Sequence, residues 1–361
     1  MAPSFPVSDA EHLMGRAALR SALLELVDRL PMVEHGSLIQ EALTAILELA
    51  AMRTDRLDWK ILVGSLQDLQ RGIEAFYDRR AVRKVTLFGS ARLSETSPEY
   101  AIARDFAKQI VDRGFMVLTG AGGGIMQAGN EGAGAAHSFG LNIDLPFEQT
   151  ANPFIDGDEK LIDFKYFFIR KLFFLRESDG VVLCPGGFGT QDEAFECLTL
   201  LQTGKFGPAP VVLLDRPDGG YWQEWELFHR EQLAKAGLIA PEDLSLYTLT
   251  DDVAVACDAI ANFYRIYHSS RYVGDRLVLR LRADLTDEAV EELNQAFGDI
   301  VTEGRIEKTA ALPAESQCTT VHLPRLVLSF DRVSLARLHQ LVHQINRCEP
   351  ISPPRPDFSI R

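Results

Sequence analysis

The chain has 361 residues, 46% hydrophobic and 24% charged, an ordinary make-up for a globular protein of roughly two to three domains. Acidic residues outnumber basic ones 51 to 37, for a formal net charge of −14, which argues against non-specific binding to nucleic acid or to an anionic membrane surface. No apolar run approaches about 18 residues, so no transmembrane helix is expected, and the first thirteen residues lack the basic-then-apolar order of a signal peptide.

Residues 1–80 read as a helical region. Ser8 and Asp9 offer caps for a helix to about Leu30, followed by Pro31; further helices fit Ser37 to Met52 and Leu57 to Tyr77. Residues 81–270 alternate short apolar runs with helical patterns. The predicted strands are Val85 to Phe88, Met116 to Leu118, Leu141 to Ile143, Val181 to Cys184 and Val211 to Leu214. The predicted helices lie near residues 100–112, 125–136, 163–177, 191–202 and 222–235, with a last one over 252–268. This alternation predicts an α/β fold, a Rossmann-like doubly wound parallel sheet with helices on both faces. Residues 271–361 read as strand (276–281), helix (286–302), strands (305–310 and 325–330) and helix (334–346), a ferredoxin-like α+β order ahead of a Pro-rich tail. It is expected to be a regulatory or assembly domain. The acidity concentrates in residues 81–270, with 16 basic and 26 acidic residues, so an anion there must be held by local groups. Cys184, Cys197, Cys257, Cys318 and Cys348 form no CxxC pair and match no zinc spacing. Free thiols, a cytoplasmic location and no metal are the expectation.

Three glycine loops end predicted strands. The first, Leu87-Phe88-Gly89-Ser90-Ala91-Arg92, lets the chain turn at Gly89 and offers the Ser90 hydroxyl, as plain strand–helix turns also do. The second, Thr119-Gly120-Ala121-Gly122-Gly123-Gly124-Ile125-Met126, allows either close helix–sheet packing or approach of a ligand to bare backbone. The third, Cys184-Pro185-Gly186-Gly187-Phe188-Gly189-Thr190-Gln191-Asp192-Glu193, opens a helix whose free N–H groups and dipole make an anion site, with Thr190 as cap or phosphate contact. No GKS or GKT follows, so triphosphate chemistry with Mg²⁺ is not supported. All three sit where open α/β sheets bind ligands.

The segment from Asp163 to Leu175 is apolar nearly all round, as in a buried helix, yet carries Arg170 and Lys171. Cations there need anionic partners, either a core carboxylate with snorkelling stems or an anionic ligand or catalytic carboxylate. Glu193, one turn into the helix of the third loop, is the natural carboxylate, with Asp192 and Glu196 close by.

These residues resemble a known family. Pro185-Gly186-Gly187-Phe188-Gly189-Thr190-Gln191-Asp192-Glu193 matches the PGGxGTxxE signature of the Lonely Guy (LOG) proteins, cytokinin riboside 5′-monophosphate phosphoribohydrolases and related nucleoside 5′-monophosphate nucleosidases. Arg170-Lys171 stands where the family has its Arg-Lys pair. The run from Thr119 to Asn130 is similar to its TGGGPGIMEAAN stretch, and Gly140 to Gln149 to the GLNIxLPFEQ stretch of its longer bacterial members. Plant-type members have Met-His-x-Arg-Lys where this chain has Phe167-Phe168-Ile169-Arg170-Lys171. The match spans residues 82–268.

The resemblance implies hydrolysis of the N-glycosidic bond of a purine or cytokinin nucleoside 5′-monophosphate such as AMP, giving free base and ribose 5-phosphate. It implies Glu193 and Arg170 as catalytic residues. It implies Gly89, Ser90, Gly120, Gly122, Gly123, Gly124, Met126, Lys171, Gly186, Gly187, Gly189 and Thr190 as substrate contacts. It further implies no cofactor and a homodimer or larger homo-oligomer. The family also carries a lysine decarboxylase label; that chemistry needs a pyridoxal phosphate Schiff base on a lysine, and Lys171, the one lysine beside the loops, reads as half of a charge pair. The alternative is a non-catalytic nucleotide or molybdenum-cofactor carrier on the same fold, which has no need of both Arg170 and Glu193.

Overall fold

The computed structural model describes residues 18, 21, 25 and 34–355, except 53, 146–149 and 317. Apart from residues 18, 21 and 25, the helix expected from Ser8 to Leu30 lies outside the described residues, as do Pro146 to Gln149 of the family-like stretch. Packing divides the chain into two units, Met1–Leu66 and Gln67–Arg361. The first contains helix α1 (Gly36–Ala51) and the start of α2 (Arg56–Tyr77).

Both sheets belong to the second unit. The larger is seven-stranded and parallel throughout, in the order β4-β3-β2-β1-β5-β6-β7. Its strands are β1 (Lys84–Phe88), β2 (Met116–Thr119), β3 (Ser138–Ile143), β4 (Leu161–Phe164), β5 (Gly180–Leu183), β6 (Val211–Leu214) and β7 (Thr248–Thr250). Apolar residues run without a polar face because both faces are covered. Val182, Cys184, Val212 and Leu214 enter one core, while Val181, Leu183, Val211 and Leu213 enter the other. The chain winds outward from β1 to β4, then returns to place β5 against the other side of β1. That reversal opens a crevice at the carboxyl ends of β1 and β5.

The C-terminal sheet is antiparallel, in the order β10-β11-β9-β8, formed by β8 (Tyr267–Val273), β9 (Arg276–Leu281), β10 (Val301–Thr309) and β11 (Arg325–Phe330). Its order β10-β11-β9 is that of a split β-α-β unit. The fourth place is filled by β8, which precedes the unit, rather than by a strand after it. Where the sequence suggested a boundary at residue 270, the apolar cluster is continuous. Leu277, Leu279, Leu326, Leu328 and Val342 pack in one core with Val85, Val182 and Val212.

Several elements differ from the sequence reading. The helix expected over 163–177 begins at Phe167 (α5 here is Phe167–Arg176, after α3, Pro98–Asp112, and α4, Ile125–Ala133), because Asp163 and Phe164 complete β4. Buried Asp68 of α2 accepts the N–H groups of Lys165 (3.0 Å) and Tyr166 (2.9 Å), which fixes the turn between them. Nor is α5 buried all round. Ile169, Phe173, Phe174 and Leu175 are buried, but Phe167 and Phe168 are 54% and 55% exposed and Leu172 is 47% exposed. β7 was not expected, and the helix predicted over 252–268 ends at Asn262, so that β8 begins within it. No helix among the described residues is long and apolar enough to cross a membrane.

Candidate active site

The three glycine loops converge at the carboxyl ends of β1, β2 and β5, where backbone hydrogen bonds tie them together. The Ser90 N–H donates to the Pro185 carbonyl (3.1 Å), and the Ile125 N–H donates to the Ser90 carbonyl (3.0 Å). Gly124 makes that second contact feasible. Its φ of +61° is left-handed, and a Cβ there would lie 2.2 Å from the Ser90 oxygen. The carbonyl of Gly122 is held by the side-chain amide of buried Asn152 (3.1 Å).

A cleft of about 840 Å³ opens over the loops. Gly89 and Ser90 line it from the first loop, Gly120 and Met126 from the second, and Gly186, Gly187, Gly189 and Thr190 from the third; Arg170 and Glu193 complete it. Gly122, Gly123, Gly124 and Lys171 are not among its lining residues. For Gly124 the packing alternative accounts for the glycine.

Helix α6 (Phe188–Gln202) starts at the cleft wall, and no side chain caps its first N–H groups. Nothing stands within 4 Å of where side chains at Gly187 and Gly189 would project. An uncapped helix N-terminus facing an open cleft is an anion site. Gly186 is held from behind. Tyr221 donates its O–H to the Gly186 carbonyl (2.5 Å), Gln191 donates to the Tyr221 hydroxyl (2.6 Å), and the Trp225 indole N–H donates to Gln191 (2.7 Å). The sequence reading missed Tyr221, Gln191 and Trp225 as site supports; Tyr221 and Trp225 lie in α7 (Tyr221–Phe228), thirty residues beyond the loop.

Arg170 and Lys171 have different partners. Lys171 ion-pairs with Asp192 (2.8 Å) and more distantly with Glu196 (3.5 Å), on the rim. Burial works against its charge, but those carboxylates and Glu193 outweigh it and raise its pKa. Arg170 ion-pairs with no carboxylate among the described residues. Its Nε–H donates to the Leu141 carbonyl (2.8 Å), and its guanidinium lies 5.2 Å from the Phe174 ring centre. It occupies the space over Gly120, where a Cβ would come 2.4 Å from Nη2. Burial lowers its pKa to about 10 against the attraction of Glu193.

Glu193 carries the strongest chemical signal. Its Oε2 is buried with no hydrogen-bond partner. Burial pushes its pKa up to about 7, although Lys171 and Arg170 pull it down. A carboxylate poised near neutrality, beside a cation and an anion-binding helix end, fits acid–base or electrostatic catalysis. No cluster of His, Cys, Asp or Glu among the described residues could hold a metal ion.

A family model described as "Possible lysine decarboxylase" matches residues 123–260, the stretch that supplies Arg170, Glu193 and α6. The Rossmann-like part of this chain is similar to the LOG family over that stretch. A relative from Oryza sativa subsp. japonica, named "Probable cytokinin riboside 5′-monophosphate phosphoribohydrolase LOG4", is 28% identical over 179 residues, 48% of this chain and 74% of its own. Among solved structures, the molybdenum cofactor carrier protein from Chlamydomonas reinhardtii is 24% identical, covering 49% of this chain and 95% of its own, with a TM-score of 0.33. The molybdenum cofactor binding protein of Rippkaea orientalis is 22% identical, covering 48% and 91%, with a TM-score of 0.32. No lysine lines the cleft among the described residues, so the geometry offers no Schiff-base partner for the decarboxylation in the family model's description.

Proposed function

We propose that this protein hydrolyses the N-glycosidic bond of a nucleoside 5′-monophosphate. The observation that carries this reading is Glu193, a carboxylate with one buried, unpartnered oxygen in one cleft with Arg170 and the open end of α6. The 5′-phosphate would sit on the free N–H groups of α6, which places the ribose over Glu193. Water adds to the anomeric carbon and the C–N bond breaks, its electron pair leaving with the base. Positive charge develops on the ribose, and the Glu193 carboxylate stabilises it and takes a proton from the attacking water. Arg170, held by Leu141, orients Glu193 and favours the departing base, which takes up a proton. Incubation with AMP should release adenine and ribose 5-phosphate in equal amounts. Binding of AMP without either product would replace the enzyme with a nucleotide carrier.

Tyr221 supports the phosphate loop without reaching the reacting atoms. Tyr221→Phe should raise KM for AMP about 2- to 10-fold with kcat nearly unchanged, the loss of one hydrogen bond to the Gly186 carbonyl. An equal fall in kcat would place Tyr221 in the chemistry itself.

The apolar side chains beside the cleft support a homodimer. Phe167, Phe168, Leu172 and Phe195 are 42–55% exposed and Phe188 is 97% exposed, a cluster that a monomer would leave in water. A second copy of the chain covers it in this reading. Light scattering after size exclusion should give at least twice the chain mass, and Phe168→Glu should shift it to the monomer; a wild-type monomer defeats the reading.

A further inference from the structure

A second concave site lies at the amino ends of the parallel strands, opposite the glycine loops. It encloses about 240 Å³, between the starts of β1 and β6 on one side and β8 and β9 on the other. Arg83, Arg176, Lys205 and Arg280 line it with the hydroxyls of Ser269 and Ser270, and among the described residues no Asp or Glu does. The carboxylates stand behind the cations. Asp179 pairs with Arg83 (2.7 Å) and Glu177 with Arg176 (3.0 Å). Fully buried Glu315 is shared between Arg280 (2.6 Å) and Arg325 (2.9 Å). One carboxylate between two guanidinium groups leaves that triad a net positive charge, and Lys205 adds another. Residues 81–270 are strongly acidic as a whole, so this concentration of positive charge is a local feature against the field of the protein.

An adjoining lobe of about 330 Å³ shares Phe206, Gly207, Pro208 and Ser270 with the cationic one. Leu201, Leu246, Leu277 and Leu338 give it an apolar wall, with Arg271 and Arg332 also in its lining. His339 lines it at 2% exposure. Its Nε2 lies 3.1 Å from the Ala209 carbonyl, which can only accept, so Nε2 carries the proton and Nδ1 is an acceptor; Nδ1 has no partner. Burial, then His343, keeps the imidazole neutral.

We propose that this crevice is a second ligand site, for a small phosphorylated molecule whose anionic end sits among Arg83, Arg176, Lys205 and Arg280 and whose apolar end fills the lobe beside His339. Cations near the surface supply the charge-assisted contacts, and the leucines supply burial for a ring. A strand's length separates the site from the glycine loops, so both can be filled at once.

The test is calorimetric titration of the full chain with phenyl phosphate, and with inorganic phosphate for comparison. Wild type should show two sites per chain. Arg176→Ala/Lys205→Ala, which changes two exposed side chains, should weaken one of them about tenfold or more. At that site inorganic phosphate should bind about fivefold or more weakly than phenyl phosphate, for want of the ring. A single wild-type site, two sites untouched by the substitutions, or equal affinity for the two probes would each overturn the proposal. Lys205→Ala alone repeats the test should the double variant lose its circular dichroism signal. Binding is the only readout, so the outcome stands apart from whether AMP is cleaved.

Discussion

Glu193→Gln should lower kcat for AMP hydrolysis about 10²-fold or more, the usual consequence of removing a charge used in the transition state. Glutamine keeps the shape and the apolar contacts, so affinity for AMP should hold within a few-fold. The pH profile gives an independent check. Burial raises the Glu193 pKa to about 7, and the ionised form does the work in this mechanism. Wild-type kcat/KM should therefore fall as pH drops through about 7 and level off above it, while the glutamine variant should lose that limb. Stability should move oppositely. A carboxyl whose folded pKa lies above its unfolded value contributes most when protonated, below the ordinary carboxylate range, and that contribution is lost as pH rises through about 7. At pH 8 the glutamine variant, which has no charge to bury, should melt at or above the wild-type temperature, and the gap should close toward pH 5. Activity within a few-fold of wild type, or an unchanged acid limb, would remove Glu193 from the chemistry.

Adenosine should be cleaved about 10³-fold less efficiently than AMP in kcat/KM. The phosphate carries most of the specific recognition in this cleft, through the open end of α6 and the backbone at Gly187 and Gly189. Each charge-assisted hydrogen bond is worth about 1.5–3 kcal/mol, so two or three of them account for the ratio. Part of the loss should appear in kcat, because the phosphate also sets the ribose over Glu193. Adding inorganic phosphate to adenosine should recover little, since a free ion does not position the sugar. Comparable kcat/KM for the two substrates would mean that the third glycine loop has another purpose.

Much of this site was legible in the residues because its signals are local. A strand, a glycine turn and a helix start follow one another in the chain at each loop. A helix that opens straight after a glycine run needs no tertiary information, nor does a cation on an apolar helix demanding an anion; that no side chain caps the helix, Thr190 included, came from the structure. The α/β class followed from the same alternation. Other features depended on partners far apart in the sequence. Lys171 and Arg170 are adjacent, but their side chains leave α5 in different directions. One reaches Asp192 and Glu196 on the rim; the other lies over Gly120 and bonds to Leu141. Gly124 and Gly187 look equivalent as glycines. Gly124 is fixed by the approach of the Ser90 carbonyl, whereas Gly187 faces open space. α5 read as buried because its composition is apolar all round, yet the fold covers only one face. Tyr221 and Asn152 support the loops from thirty residues away and leave no periodic signal. The short strands β4 and β7 form because neighbouring strands supply hydrogen-bond partners, not because of their own pattern. The sequence by itself determined the chemistry available at the strand ends. The winding of the sheet, which brings β5 back beside β1, decided which of those groups meet in one cleft, since only packing places side chains that are distant along the chain within reach of one substrate.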